Sequence, residues 1–437
     1  MCPAWSFHTQ QGGEGAVMGR VHTDNLEPGM KLTSDLLGPR GILILPRGAV
    51  LTGKNIQTIK IWGVSEADVE GVSEADIAKR ELSRIDPEAI RKAEERTNFL
   101  FSSPPATPFA EELRRQVFLE ASKRYALGES FGDYEPAELF KDSAAGAPCD
   151  DEPVPSVQDL VSNAARLSSF PDIYFQISQV LSSPRSSAHH IAEVVSKDTS
   201  LAATLLKLVN SSFYGFPAKI DSIPRAVAII GVNELSTLAL GISAISAFKG
   251  VPEDVFNMRA FWKHSIACGI FARIYASLEV GLSEERYFVM GIIHDIGRLV
   301  MFQTMPRHMV AATRLSVRKR LPIHIAEQQT IGYDHATAGG LLLGAWSFPP
   351  LLAHAILFHH RPEESKSLTE TTILTLADIT AIGLRMGRSG TYFVPELKRE
   401  AWDSIHFLPS AIGPTIMQAS RQISEILTLF LGKEEEA

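Results

Sequence analysis

The chain has 437 residues, with 42 Lys plus Arg against 50 Asp plus Glu, a formal net charge of -8 and 45% hydrophobic content at a mean hydropathy of +0.04. These values describe a globular protein of two or three domains with real cores; they exclude wholesale disorder and, with Gly 31 and Pro 25, a fibrous or low-complexity chain. Net acidity argues against a duplex binder that works by charge alone.

Residues 1–20 read as a polar, disordered lead-in without the basic start and apolar run of a secretory signal, and Met18 offers a second start. Cys2, Cys149 and Cys268 are widely spaced and form no CxxC pair, so neither a disulfide framework nor a zinc ribbon is indicated and a reducing cytoplasm is the expected compartment. Residues 21–80 predict a small mixed α/β module, mostly β. LEPGMKLTSDL, GILIL and AVLT are short runs punctuated by Gly and Pro, and KNIQTIKIWG has helical spacing. GVSEAD occurs at Gly63–Asp68 and again at Gly71–Asp76, a local duplication too short for a solenoid.

Residues 81–127 predict two connecting helices, PEAIRKAEERTNFLF and FAEELRRQVFLEASKRYALG, parted by SSPPATP, which no helix crosses. Residues 128–156 predict a disordered acidic linker. From Glu129 to Glu152 it carries eight acids and Lys141, a charge of -7, and the acidic tail 433–437 adds -2, leaving +1 for everything else. The acidity therefore belongs to linker and tail; the helical domain is near neutral, and a nucleic-acid partner is not indicated.

After Val157 the pattern is helical: an all-α domain over residues 157–395 with a C-terminal helical extension over 396–432. VQDLVSNAARL, DIYFQISQVL, AHHIAEVVSK, LAATLLKLVN, LSTLALGISAISAF, FWKHSIACGIFARIYASL, RYFVMGIIHDIGRLVMF and TTILTLADITAIGL each space apolar residues at three and four. Leu341–Phe358 has the length of a membrane span, but Pro349, Pro350 and His354 interrupt it, so two buried helices and no membrane insertion are expected.

Of 13 histidines, eight fall between His264 and His360. His264, the doublet His294-Asp295 in GIIHDIGR, and Asp378 in LTLADITAIG form the skeleton of a candidate metal site. Imidazole plus carboxylate suits one or two divalent ions, Fe or Mn first among them, and an Asp can bridge two. His335 in YDHATAGGLLLGAW and the pair His359-His360 could complete the shell of a second metal. Ions there would lower the pKa of a water and hold a phosphate oxygen, the chemistry of a phosphohydrolase. The alternative is that these are polar core residues satisfying one another. His189, His190, His308, His324, His354 and His406 are weaker candidates.

With these residues, residues 157–390 resemble the HDOD family, the HD-related output domain of bacterial signalling proteins. VSKDTSLAATLLKLVNSSFYGFPAKIDSIPRAVAIIGVNEL follows the first half of the pattern; FWKHSIACG, GIIHDIGRL, the Glu327 helix leading to YDHATAGGLLLGAW, and HHRPEE follow the second. The resemblance implies an all-helical HD-like domain acting as an output or scaffolding element, binding a signalling partner or a nucleotide, and leaning away from enzyme activity. Its HD-GYP relatives hydrolyse cyclic di-GMP, and His264, His294, Asp295, His335, His359, His360 and Asp378 fall at positions resembling their metal ligands. Three departures count against carrying that activity over: no GYP follows the His pair, Arg298 stands in place of Lys, and Ala260 in place of a Glu ligand. Arg298 remains a candidate phosphate contact or a plain ion-pair partner. Within the HDOD pattern itself, Thr199 replaces the usual Pro after Asp198.

Overall fold

The computed structural model describes residues 18–23, 26–37, 43–61, 64, 66–70, 82–101, 103–129, 131, 153–167, 172–182, 187–216, 218–247, 257–388 and 390–432. The expected lead-in up to residue 17, the second GVSEAD copy, linker residues 130 and 132–152, and the tail 433–437 lie outside them. The chain divides into two compact units, residues 1–96 with 118–130 and residues 97–117 with 131–437.

In the first unit, strand β1 (Met18–His22) pairs antiparallel with β4 (Glu66–Glu70), setting Val21 opposite Ala67. β2 (Leu36–Leu37) pairs with β3 (Leu43–Leu45) across a bulge, and helix α1 (Gly53–Ile61) follows. Side-chain alternation turns Val21, Ala67 and Val69 to one face, where they join Leu32, Leu51, Ile56 and Ile59 in a small core. Strand β1 begins at Met18, inside the segment that reads as lead-in, because Val21 belongs to this core and draws its neighbours into the sheet.

Helices α2 (Pro87–Leu100) and α3 (Pro108–Ala126) flank the proline-rich break as expected. They are more than connectors, since Leu100, Phe101, Phe109, Leu113 and Val117 lie in the core of the second unit. That unit is helical throughout. Its first part runs through α4 (Val157–Leu167), α5 (Asp172–Ser182), α6 (Ala188–Ser196), α7 (Thr199–Val209), α8 (Ile223–Ile230) and α9 (Val232–Ala247). Then come α10 (Met258–Ser277), α11 (Glu284–Ile293), α12 (Ile296–Thr304), α13 (Pro306–Lys319), α14 (Ile323–Ile331), α15 (His335–Ala345) and α16 (Pro350–Phe358). α17 (Leu368–Gly383), the short α18 (Arg399–Trp402) and α19 (Ile412–Leu431) close the unit.

Side-chain oxygens of Asp198, Asn257, Ser283 and Asp334 cap α7, α10, α11 and α15, satisfying amides that helix starts leave unpaired. The Asp198 cap holds although Thr199 stands where Pro is usual. α10 is buried on all sides, packed against α11, α17 and α19. Ile412, Ile416, Ala419, Ile423 and Ile426 of α19 lie in the same core, so residues 396–432 belong to the unit rather than extending it.

Two local features shape the site, the first a departure from the sequence expectation. RYFVMGIIHDIGRLVMF is not one helix: α11 stops at Ile293 and α12 restarts at Ile296, leaving His294-Asp295 at the break. Glycines also let backbones touch. A Cβ on Gly291 would fall 2.4 Å from the Gly269 nitrogen on α10, and one on Gly297 would fall 2.1 Å from the His335 carbonyl oxygen on α15. Among the described residues no single helix is long and apolar enough to cross a membrane. The pair Ile223–Ile230 and Val232–Ser243 passes together by length and composition but is bent by 119°.

Candidate metal centre

Each side chain reaches the centre from a defined place. His264 projects from the middle of α10, His294 closes α11, Asp295 opens α12, His335 is the first residue of α15, His359 and His360 follow α16, and Asp378 lies within α17. All seven expected positions come together. His264 Nε2 is 3.1 Å from Asp378 Oδ1, and His294 Nε2 is 3.5 Å from both Asp378 Oδ1 and Asp295 Oδ2. His335 Nε2 lies 3.0 Å from Asp295 Oδ1 and 2.8 Å from His360 Nε2, and His359 Nε2 lies 3.9 Å from Asp295 Oδ1.

Three overlapping groups have ligand atoms within 4.8 Å of one another: Asp295 with His335, His359 and His360; Asp295 with His264 and His294; Asp378 with His294 and His359. The two oxygens of Asp295 thus face different histidines. Oδ1 looks toward His335 and His359, Oδ2 toward His294 and His264 at 3.9 Å.

Tautomers are set locally. His294 Nδ1 donates to the Gly291 carbonyl and His359 Nδ1 to the Ile356 carbonyl, both at 2.7 Å, so that in the neutral form of each ring Nε2 is the lone-pair nitrogen. Those Nε2 atoms are buried and take no hydrogen bond. Buried polar atoms without partners are costly, and a cation shared by the cluster would satisfy both. The donor set, imidazole and carboxylate without thiolate, fits ions such as Mn or Fe.

The family model for the HDOD domain matches residues 167–362. The chain carries an HDOD domain. A Geobacter sulfurreducens HDOD domain protein of unknown function is similar in structure at 22% identity, covering 63% of this chain and 97% of that one with a TM-score of 0.52. A Shewanella amazonensis protein whose name offers phosphohydrolase activity as a conjecture aligns over 62% of this chain and 98% of its own, at 22% identity and a TM-score of 0.50. A Marinobacter aquaeolei protein, conjecturally named for signal transduction, covers 95% of this chain and 96% of its own at 17% identity and a TM-score of 0.50. In sequence, an uncharacterized Treponema pallidum protein is 25% identical over 222 residues, 49% of this chain; the chain spans only 42% of that relative's length. At these identities the solved structures establish the fold.

Charge is balanced inside the cluster. Burial disfavours the charged form of His335, but the carboxylates of Glu327 and Asp295 outweigh it and raise its pKa to about 10. Burial opposes the charge on His294 too, yet Asp295 holds its pKa well above the ordinary value. His359 goes the other way: burial and the neighbouring His294 and His335 push it to about 4. Burial and His359 likewise lower His360. Asp295 and Asp378 overcome burial through the surrounding histidines and stay ionised, held below the usual carboxylate range.

Two further residues belong to the site: Glu327, to which the sequence assigned no role there, and His324, which it ranked among the weaker candidates. Glu327, fully buried on α14, accepts from the His335 backbone N–H at 3.0 Å and from its Nδ1 at 2.5 Å. His324, one turn earlier, stacks on His360 with ring centroids 4.1 Å apart, and burial lowers its pKa to about 4. Their three-residue spacing puts both on one helical face, a usable signal. Arg298, the candidate phosphate contact, is fully buried with Nη1 3.1 Å from Glu327 Oε1. His189 and His190 are exposed at the start of α6.

Proposed function

We propose that this protein is a signalling output protein whose HDOD domain holds divalent metal in a closed centre and acts by binding a protein partner or nucleotide. The observation that carries this reading is enclosure of a complete ligand set. His264, His294, Asp295, His335, His359 and Asp378 are each at most 3% exposed, and only His360 is partly exposed. Structural sites fill an ion's coordination with protein ligands, whereas catalytic ones keep a position open to water or substrate; seven candidate ligands in so enclosed a place leave little room for a substrate. The solved neighbours' names, one from signal transduction, support the context.

A second reading, a metal-dependent phosphohydrolase acting on a nucleotide such as cyclic di-GMP, is favoured by Asp295, whose two oxygens face two groups of histidines as a bridging carboxylate would. Bound divalent ions supply Lewis acidity and nucleophile activation for phosphoester hydrolysis. In that reading His264, His294 and Asp295 would hold one ion and Asp295, His335, His359 and His360 the other, with Asp378 beside His264 and His294.

Metal analysis of anaerobically purified wild type and Asp295→Ala, with both assayed against cyclic and linear nucleotides, separates the readings. The expected result is metal in the wild type, its loss in the variant, and turnover in neither. Hydrolysis by the wild type that disappears in the variant installs the second reading instead. A metal-free wild type defeats both.

A further inference from the structure

We propose that Glu327 is a positioning residue for His335, with Arg298 holding Glu327 in turn, so that His335 Nε2 is directed into the metal centre. The proposal rests on the metal-binding reading above. It follows from a difference in where the histidines sit. His294 and His359 lie at helix C-terminal ends, where a carbonyl three residues back accepts from Nδ1. His335 is the first residue of α15 and has no preceding turn to offer a carbonyl.

Glu327, eight residues earlier on α14, takes that place. One oxygen accepts from both the backbone N–H and Nδ1 of His335, and the other faces Arg298. With Nδ1 committed, only Nε2 is left, and it points at Asp295 Oδ1 and His360 Nε2. A carboxylate behind an imidazole fixes ring and tautomer and makes the other nitrogen a stronger donor than a carbonyl does.

Arg298 is enclosed beside this pair. It stands three residues after Asp295 on α12, and Gly390, at φ +86°, passes so close that a Cβ there would lie 2.4 Å from Nη2. The chain Arg298, Glu327, His335, Asp295 is therefore continuous, with every side chain at most 3% exposed. The role thus assigned to Arg298 is to hold a carboxylate rather than a substrate phosphate.

The test is calorimetric titration of the full chain with Mn²⁺ for wild type, Asp295→Ala, Glu327→Gln, Glu327→Leu and the double variant Arg298→Met/Glu327→Leu. The double variant leaves no unpaired buried arginine, and circular dichroism checks its fold. Loss of the positioning carboxylate should weaken Mn²⁺ binding about 10- to 100-fold. Glu327→Gln, whose amide oxygen still accepts from Nδ1, should recover most of it. Long-range ¹H–¹⁵N spectra of the Zn²⁺-loaded protein should show the His335 Nδ1–H tautomer in wild type and Glu327→Gln. A folded double variant with wild-type affinity overturns the proposal, as does a Gln variant no better than Leu. If wild type binds no Mn²⁺, or Asp295→Ala binds as wild type does, the metal reading fails and the positioning role falls with it.

Discussion

Asp295 and His335 decide what the centre does with protons. In the metal-free protein His335, at about 10, and His294, well above its ordinary value, both carry a proton at neutral pH and neutralise buried carboxylates. An imidazolium cannot ligate, so ion uptake must displace those protons. The sign follows: below a metal-free pKa of about 10 the protonated form dominates, and each unit of falling pH weakens apparent affinity by up to about tenfold per proton displaced. His359, at about 4, is already neutral and adds nothing above pH 5. Mn²⁺ titrations at pH 6.5, 7.5 and 8.5, in buffers of different ionisation enthalpy, should show affinity rising with pH and proton release on binding. A flat profile would mean that neither histidine ligates.

At the scale of elements, glycine contacts set the distances on which the centre depends. Gly291 against Gly269 brings α11 onto α10, and Gly297 against the His335 carbonyl and the Gly339 nitrogen brings α12 onto α15. His264, His294, Asp295 and His335 ride on these four helices, so a methyl at either contact pushes ligands apart. Gly291→Ala and Gly297→Ala should each destabilise by about 1–3 kcal/mol, the usual cost of overpacking, and weaken Mn²⁺ binding. Gly344→Ala on α15 meets nothing within 4 Å and should be neutral or stabilising by about 0.5–1 kcal/mol. Thermal melts of the three variants check this; equal melting temperatures would refute it. The same elements show how far the sequence could be read. Apolar spacing located α4 to α7, α9 to α12 and α17 but not α8, α13 or α18, and residue chemistry picked out the seven positions that converge. The break at His294-Asp295 was hidden because the apolar pattern runs straight through it while tertiary contact ends α11. Glu327 was hidden because a buried glutamate is indistinguishable in sequence from a solvated one until its partners, His335 and Arg298, are seen around it.

Over the whole molecule, the centre ties together helices that are far apart in sequence. α10 and α17, more than a hundred residues apart, meet through the pair His264 and Asp378, and α12, α14 and α15 meet through Arg298, Glu327 and His335. An ion bound only by the folded state stabilises it by mass action, about 2.7 kcal/mol at a free concentration one hundred times Kd. For a domain of this size that raises Tm by roughly 2–4 °C per kcal/mol. The gain has an address. It should slow amide exchange in α10, α11, α12 and α15 to α17, which carry the ligands, and in α14, which carries Glu327. The first unit has its own core, built on Val21, Leu32, Leu51 and Val69, and among the described residues it contributes no ligand to the cluster. Hydrogen exchange with and without Mn²⁺ should therefore show added protection on the ligand-bearing helices and none on β1 and β4. Protection spread evenly over both units would mean that ion binding acts on the chain's global stability rather than through this centre. No protection at all in α10 and α17 would sever the link between His264, Asp378 and the ion.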